Sequence, residues 1–384
     1  MKTNRILFSL LSSILLITGC QIVESPFSSD TEEIIDLIDR KVEINAGSYQ
    51  RIVCIGAGAL RLYSYIGNVS LLCGIEDIDN TSLVNRPKMF DSVARPYLMA
   101  NEKEFQSLPS CGVGGPNAQS AEAEKILSCN PDIVISEYED SDKENALQKQ
   151  LGVPVITVSY GTNGVFDNKF KTSLSLLGKI FDEETRSETL INFIESQKNQ
   201  ISEKTSEIND SSRKNAYICG LGNWGTTNHL MTAQNYEPFN LAKINNVISG
   251  LPTDGVQAIE KEKFVTVGKE ADVMIIDSAA VKNIKPLWQE DKTLFDSFKA
   301  WKDGNVYLEM AYNAYHNNAE IALANSWFIA KAVYPELFSD IDIKSKTNEI
   351  TSIFLGKELS DEILACVNSY GGYQKIDTET FFME

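Results

Sequence analysis

Short apolar runs that end near Gly, Pro or Asn alternate along the chain with stretches of helical character. This alternation is typical of α/β folds, in which helices cover a sheet of parallel strands. The runs that predict strands cover residues 51–55, 71–75, 132–136 and 153–158 in the first half, and residues 215–219, 272–277 and 305–308 in the second. The pattern therefore predicts two groups of buried strands.

The two groups of predicted strands resemble each other. Each half opens with a strand that ends in a Gly-x-Gly segment, at residues 56–58 and at residues 220–222. Each continues through a helix into a strand that begins at an aspartate, Asp132 or Asp272. This weak internal repeat favours two similar α/β lobes over one large sheet.

Between the halves, residues 182–208 contain neither Gly nor Pro, and apolar residues recur there at intervals of three and four. That spacing predicts a helix with one buried stripe. About 25 residues at 1.5 Å each extend for about 37 Å, enough to run across two small domains. Because bending such a helix breaks backbone hydrogen bonds, we expect a cleft between the lobes to open only slightly. The alternative is a helical insertion within a single domain.

The first residues predict export. Lys2 and Arg5 precede an uncharged, largely apolar run at residues 6–17, which is too short to cross a bilayer core of about 30 Å as a helix. The run leads to Ile-Thr-Gly-Cys, which resembles the lipobox of bacterial lipoproteins and makes Cys20 the predicted site of acylation. The alternative is a chance cysteine in an ordinary signal peptide. Acyl chains such as palmitate would hold the exported protein at the membrane.

The predicted organisation follows from these segments: a signal peptide at residues 1–19, a tether and first element at 20–50, an N-terminal lobe at 51–165, a helical linker at 166–210 and a C-terminal lobe at 211–384. Loss of the signal would leave 33 of 35 basic residues against 53 acidic ones, a net charge of −20. Nucleic acid and anionic lipid are poor partners for such a surface, although solubility alone explains the charge.

Six cysteines follow Cys20 in the chain. Cys54 and Cys219 lie within apolar runs and Cys129 immediately precedes one, which is typical of buried, unpaired thiols. We therefore expect mostly free cysteines. Disulfide pairing is the alternative, because an exported protein meets oxidising conditions.

Several segments stand in a characteristic order: residues 51–67, Arg95-Pro96-Tyr97, residues 112–116, a "helix, then Pro-Asp strand" signature at residues 124–134, the linking helix, and residues 303–307. Together they resemble the periplasmic binding proteins for iron complexes and cobalamin. The match extends over residues 50–355 or so. The resemblance implies an α/β fold with two Rossmann-like lobes joined by a single long helix, and a ligand groove between the lobes.

The resemblance also implies a function. The protein is expected to be the substrate-binding lipoprotein of an ABC importer, a monomer tethered outside the membrane, with permease and ATPase subunits as partners and no cofactor. A ferric siderophore is the leading ligand, with cobamide, haem and an oxyanion such as molybdate left open. Family members dock through one acidic residue on each lobe; Glu124 matches the first, whereas Asn245 stands at the second. An enzyme is the remote alternative, since Gly-x-Ser-x-Gly, HExxH and P-loop motifs are absent from the sequence.

Ligands of α/β lobes bind near the loops that follow the strands. These loops and the Arg-Pro-Tyr segment supply the candidate ligand-binding residues Gly56, Ala57, Arg95, Tyr97, Gly114, Tyr138, Trp224 and His229. The glycines could equally form tight turns, the aromatic residues could pack in the core, and Arg95 could form a surface ion pair. As a ligand contact, the Arg95 guanidinium would hold an oxyanion bidentately.

The densest cluster of candidates follows the last predicted strand and contains Tyr312, Tyr315 and His316. Polar aromatic side chains suit recognition of a metal chelate. A lone histidine more often makes a structural hydrogen bond than a metal bond, so no metal ligand is firmly predicted, and His316 is the one candidate. We expect Arg95 and this cluster to lie on opposite walls of one groove.

Overall fold

The computed structural model describes residues 31–115, 118, 120–222 and 228–383. The predicted signal peptide, the acylation site Cys20 and the candidate Trp224 lie outside these residues. Within them, no helix combines the length and apolarity needed to cross a membrane. The boundaries predicted for the lobes and linker stay predictions.

The strands of the described residues are β1 (Glu32–Ile35), β2 (Lys41–Ile44), β3 (Ile52–Ile55), β4 (Leu72–Glu76), β5 (Ser110–Gly112), β6 (Ile133–Ser136), β7 (Val155–Thr157), β8 (Asn215–Cys219), β9 (Met231–Thr232), β10 (Asn245–Asn246), β11 (Gln257–Ala258), β12 (Val273–Asp277), β13 (Val306–Glu309) and β14 (Gln374–Lys375). The α-helices are α1 (Ala59–Ile66), α2 (Pro96–Gln106), α3 (Ala123–Ser128), α4 (Ser141–Leu151), α5 (Asn168–Phe181), α6 (Glu184–Lys204), α7 (Glu237–Leu241), α8 (Lys261–Glu270), α9 (Val281–Glu290), α10 (Lys292–Asp296), α11 (Lys299–Lys302), α12 (Ala319–Val333), α13 (Ile343–Leu355) and α14 (Ser360–Ala365).

Two separate sheets define two lobes. The first lobe is built on a parallel sheet of order β5-β4-β3-β6-β7. The second is built on the order β10-β8-β12-β13-β14, in which only β14 is antiparallel to its neighbour. Every residue of β3, β6 and β12 is buried, as expected for parallel strands covered on both faces. The prediction of an α/β fold with two lobes is confirmed, and each of the seven predicted strands is present.

The connection between the sheets is α6, which has 21 residues and is about 31 Å long. It is shorter than predicted because Asp182, with a φ of 58°, ends α5 first. At the other end Thr205 turns its hydroxyl back to the Ile201 and Ser202 carbonyls. The predicted stripe, which includes Leu190 and Ile194, is buried.

A second helix, α12, also lies in the interior. Every residue from Ala319 to Ala330 is buried, so the mostly apolar helix is enclosed on all sides. The Trp327 indole N–H donates to Gln197 Oε1 of α6 at 2.8 Å. The largest hydrophobic cluster includes both Ile52 of the first sheet and Ile275 of the second. The lobes thus share one core, which supports limited movement between them.

The segment predicted as a tether ends in an ordered element. Strands β1 and β2 form an antiparallel hairpin, and Asp36 accepts hydrogen bonds from Arg40 and from the Thr157 N–H of β7. The cysteine prediction is confirmed, since all six cysteines of the described residues are free.

Candidate ligand-binding cleft

A cavity of about 320 Å³ lies between segments of both lobes. Its wall in the first lobe comes from Phe90 and from the segment 161–166 that follows β7. Segments 233–238 and 254–256 supply the second-lobe wall, and segment 312–317 lies between β13 and α12. We call segment 312–317 the β13–α12 loop. It contains Tyr312, Tyr315 and His316, so the three clustered candidates line the cavity.

The β13–α12 loop holds two residues in an unusual backbone conformation. Tyr315 and His316 have φ angles of 50° and 72°, a region that residues with side chains seldom adopt. The Ala314 N–H donates to the His316 carbonyl at 3.0 Å, and the Asn318 N–H donates to the Tyr312 carbonyl at 2.7 Å. Such conformations persist only where surrounding contacts enforce them, and they concentrate at ligand sites.

The Tyr315 side chain is anchored in the first lobe. Its hydroxyl donates to Glu76 Oε2 at 2.6 Å and accepts from the Gly115 N–H at 3.0 Å. Glu76 Oε1 accepts from the Gly56 N–H at 3.2 Å. Burial raises the pKa of Glu76 to about 7. Gly56 was predicted to contact the ligand, but its N–H group donates to a buried carboxyl group of the protein instead.

The His316 imidazole packs on the Tyr160 ring, with centroids 4.0 Å apart. The Asn317 N–H donates to Nδ1 at 2.9 Å, and Nε2 lies 3.3 Å from Glu137 Oε1. Because Nδ1 accepts a hydrogen bond, the proton of the neutral ring is assigned to Nε2, facing Glu137. Burial, and then Arg61, lower the pKa of His316 to about 3, while burial raises the pKa of Glu137. The imidazole is therefore uncharged at neutral pH.

The second lobe contributes a tyrosine–carboxyl pair. The Tyr236 hydroxyl, on a cavity-lining residue, lies 3.0 Å from each carboxyl oxygen of the fully buried Glu309. Burial raises the pKa of Glu309 and that of Asp277, the latter to about 6. Asp277 accepts hydrogen bonds from the Gly222 and Ala279 N–H groups.

Acidic residues that are buried, or nearly so in the case of Glu137, thus stand at the carboxyl ends of strands in both lobes. Glu76, Asp277 and Glu309 are the last residues of β4, β12 and β13, and Glu137 directly follows β6. The sequence reasoning missed all four. The signal that could have found them is an acidic residue placed directly after a run of apolar strand residues.

The charged side chains that line the cavity are acidic. Within the described ranges they are Glu237 and Asp254, and neither Lys nor Arg lines it.

Arg95 and Tyr97 lie elsewhere. Arg95 is 4% exposed, and its guanidinium donates to Asp79 Oδ1 at 2.9 Å and to the Ile78 carbonyl at 3.2 Å. The Tyr97 hydroxyl donates to the same Asp79 oxygen at 2.6 Å. Neither side chain lines the cavity between the lobes. The expected pairing of Arg95 with the β13–α12 loop across one groove is not found, because a guanidinium inside the fold needs a buried partner and Asp79 supplies it.

The other candidates also lie off the cavity wall. Ala57 packs in a small cluster with Tyr315, and Gly114 lies so close to Glu76 that an added Cβ would stand 2.9 Å from its side chain. Tyr138 packs against the hydrophobic cluster of the first sheet. His229 meets Phe264 edge to face at 5.2 Å, so the two histidines do not converge on one site.

Comparison with known proteins agrees with this architecture. Residues 90–309 match the family described as periplasmic binding protein. The chain is 20% identical over 359 residues to the molybdate-binding protein MolA of Haemophilus influenzae, covering 87% of this chain and 94% of MolA.

Solved structures share the fold. MolA bound to molybdate superposes with a TM-score of 0.64 at 17% identity, covering 85% of this chain and 98% of that one. The Helicobacter pylori CeuE/Ni-His complex superposes with a TM-score of 0.59 at 14% identity, covering 86% and 98%. These relatives are transporter solute-binding proteins and not enzymes. The chain belongs to the periplasmic binding protein family, the extracytoplasmic substrate-binding proteins of ABC transporters.

Proposed function

We propose that this substrate-binding protein captures a metal complex without net negative charge, such as a neutral or cationic ferric siderophore, and delivers it to its permease. The observation that carries the ligand class is the lining of the cavity. Tyrosine, histidine and asparagine side chains line it, together with two carboxylates and no basic residue within the described ranges.

The aromatic residues suit the apolar faces of a chelate. Tyr236, Tyr312 and His316 offer ring surfaces, and aromatic side chains contribute large contact areas. Asn163 and Asn235 present amides that both donate and accept hydrogen bonds. Such groups recognise the carbonyl and N–H groups of a neutral chelate without a counter-charge.

The surrounding charges disfavour an anion. Glu237 and Asp254 line the cavity. Two like unit charges 4 Å apart repel by about 4 kcal/mol at an effective dielectric constant of 20. An anionic ligand would meet this repulsion with no basic side chain on the described wall to offset it.

An oxyanion such as molybdate is the second candidate. It is favoured by the similarity to MolA, which spans 94% of that protein. Neutral N–H and O–H donors can bind an oxyanion. The two candidate ligands, a chelate without net negative charge and an oxyanion, therefore differ in the ligand charge that the cleft accepts.

Titration separates the candidates. The mature chain would be titrated, following tryptophan fluorescence, with one ferric trihydroxamate core that carries a terminal ammonium, acetamide or carboxylate group, and with molybdate. The iron-free core serves as control, and cyanocobalamin and haem test the remaining alternatives. We expect the ammonium and acetamide forms to bind at least tenfold more tightly than the carboxylate form. Tighter binding of molybdate or of the carboxylate form would refute the proposed ligand class.

We also propose the residues that dock on the permease. Glu124 is exposed at the second position of α3, the helix that leads into β6. In the second lobe the corresponding helix is α8, which leads into β12 and carries the exposed Glu262 at its second position. Asn245, by contrast, pairs with Asn215 in the sheet. The repeat between the lobes therefore supports Glu124 and Glu262 as the two docking points.

We also propose that an acylated Cys20 anchors the protein to the membrane.

A further inference from the structure

Arg61 joins the first lobe to the β13–α12 loop. It lies on α1 and is fully buried. Its Nη1 donates to the Tyr315 and Asn317 carbonyls, each at 3.1 Å, and its Nη2 donates to the Ala314 carbonyl at 2.8 Å. One guanidinium of the first lobe thus binds three backbone carbonyls within four residues of a loop that follows the second sheet.

The hydrogen-bond partners of Arg61 are the three loop carbonyls and the Tyr160 hydroxyl, 3.5 Å from Nη1, and no carboxylate of the described residues forms an ion pair with it. The guanidinium also lies 4.6 Å from the centre of the Tyr97 ring. Glu320 on α12, which interacts electrostatically with Arg61, is fully buried and accepts a hydrogen bond from the Tyr65 hydroxyl. A buried cation needs several good acceptors, so the loop carbonyls have to stay in place.

A second close contact between the first lobe and the same loop is made by Gly164. Gly164 has a φ of 56°, and a Cβ added there would stand 2.6 Å from Asn317 Cγ. Only glycine allows this approach without strain. Segment 161–166 and Arg61, both of the first lobe, therefore both contact the loop.

We propose that Arg61 is a latch, a positioning residue that fixes the β13–α12 loop on the first lobe and so sets the places of Tyr315 and His316 in the cleft. The latch also resists separation of the lobes, because its donors and acceptors belong to different ones. This role is independent of the ligand class proposed above, since every contact in it is made by the protein itself.

The two histidines provide a direct readout. The sequence contains only His229 and His316, so histidine-labelled protein gives two imidazole signals in NMR spectra. Arg61 contributes to the lowered pKa of His316, whereas His229 owes its lowered pKa to burial and to Lys261. In an Arg61→Met variant the His316 signal should titrate at higher pH, and the His229 signal should not move.

Hydrogen exchange tests the position of the loop. Peptides that cover residues 310–319 report the amides of Ala314, Asn317 and Asn318, which are hydrogen-bonded within the loop. We expect exchange of these peptides to rise at least tenfold in Arg61→Met.

Arg186→Met is the matched control. The Arg186 guanidinium also donates to three carbonyls, those of Tyr65, Ile353 and Phe354, and none of them belongs to the β13–α12 loop. Exchange in residues 310–319 should stay at the wild-type rate in this variant.

Arg61→Lys keeps the positive charge but loses the planar set of guanidinium donors. This variant replaces Arg61→Met in both experiments if Arg61→Met does not fold. It should raise loop exchange to an intermediate level. The latch would be refuted by wild-type exchange of residues 310–319 in the folded Arg61 variant, or by an equal rise in Arg186→Met. An unchanged His316 titration in Arg61→Met would refute it as well.

Discussion

The buried carboxyl group of Glu76 should make the stability of the protein depend on pH. Glu76 is 5% exposed, and burial raises its pKa from 4.5 to about 7. The folded state therefore binds the proton more tightly than the unfolded state does, and this contribution to stability is lost as the pH rises through 7. Ionisation of the buried group costs about 3 kcal/mol in all, most of which falls between pH 5 and pH 8.

Glu76→Gln removes this titration while keeping the shape of the protonated side chain. The free energy of unfolding would be measured by urea denaturation at pH 5, 6, 7 and 8, followed by circular dichroism. The free energy of unfolding of wild type minus that of the variant should fall by about 2–3 kcal/mol from pH 5 to pH 8. Any cost of the amide itself that does not depend on pH cancels in this comparison.

The control is Glu203→Gln, which changes an exposed carboxyl group on α6. Its difference from wild type should stay constant across the same pH range. A Glu76→Gln difference that is constant from pH 5 to pH 8, or that grows in favour of wild type at pH 8, would refute the reasoning.

Four further outcomes are expected. Arg95→Met should lower the free energy of unfolding by about 3–5 kcal/mol, because it leaves a buried carboxylate unpaired, and ligand affinity of the folded variant should stay within a few fold of wild type. Glu124→Arg and Glu262→Arg should each reduce stimulation of the transporter ATPase in proteoliposomes without changing ligand binding; full stimulation would exclude docking there. Cys20→Ser should release the protein from membranes, and unchanged membrane association would contradict acylation. Scattering with and without a bound ferric chelate should give nearly equal radii of gyration, whereas a large difference would contradict the shared core.

The strands and the linking helix were predictable because their signals are local. Residues 272–277 form an apolar run with a charged residue at each end, and they give β12 almost residue for residue. The edge strands β10 and β14 were missed. Each has only two residues, and each exists through hydrogen bonds to a strand that is distant in the sequence.

The loop that lines the cleft was also found from the sequence, since Tyr312, Tyr315 and His316 lie close together after a strand. The sequence did not show which arginine donates hydrogen bonds to that loop. Arg95, beside a proline and a tyrosine, was expected at the ligand, but Asp79 pairs with it inside the first lobe. Arg61 stands in an ordinary helical segment, and the loop carbonyls that it binds lie more than 250 residues away.

The physical difference lies in the range of the interactions. An apolar run or a helix-ending residue acts through its neighbours in the chain, so the sequence by itself determined the order of elements and the two-lobed α/β plan. A buried charge is stabilised by whatever acceptors the folded chain brings within about 3 Å of it. Only the tertiary structure decided that Arg61 would bind the Ala314, Tyr315 and Asn317 carbonyls, and that the acids at the strand ends would lie beneath the cleft.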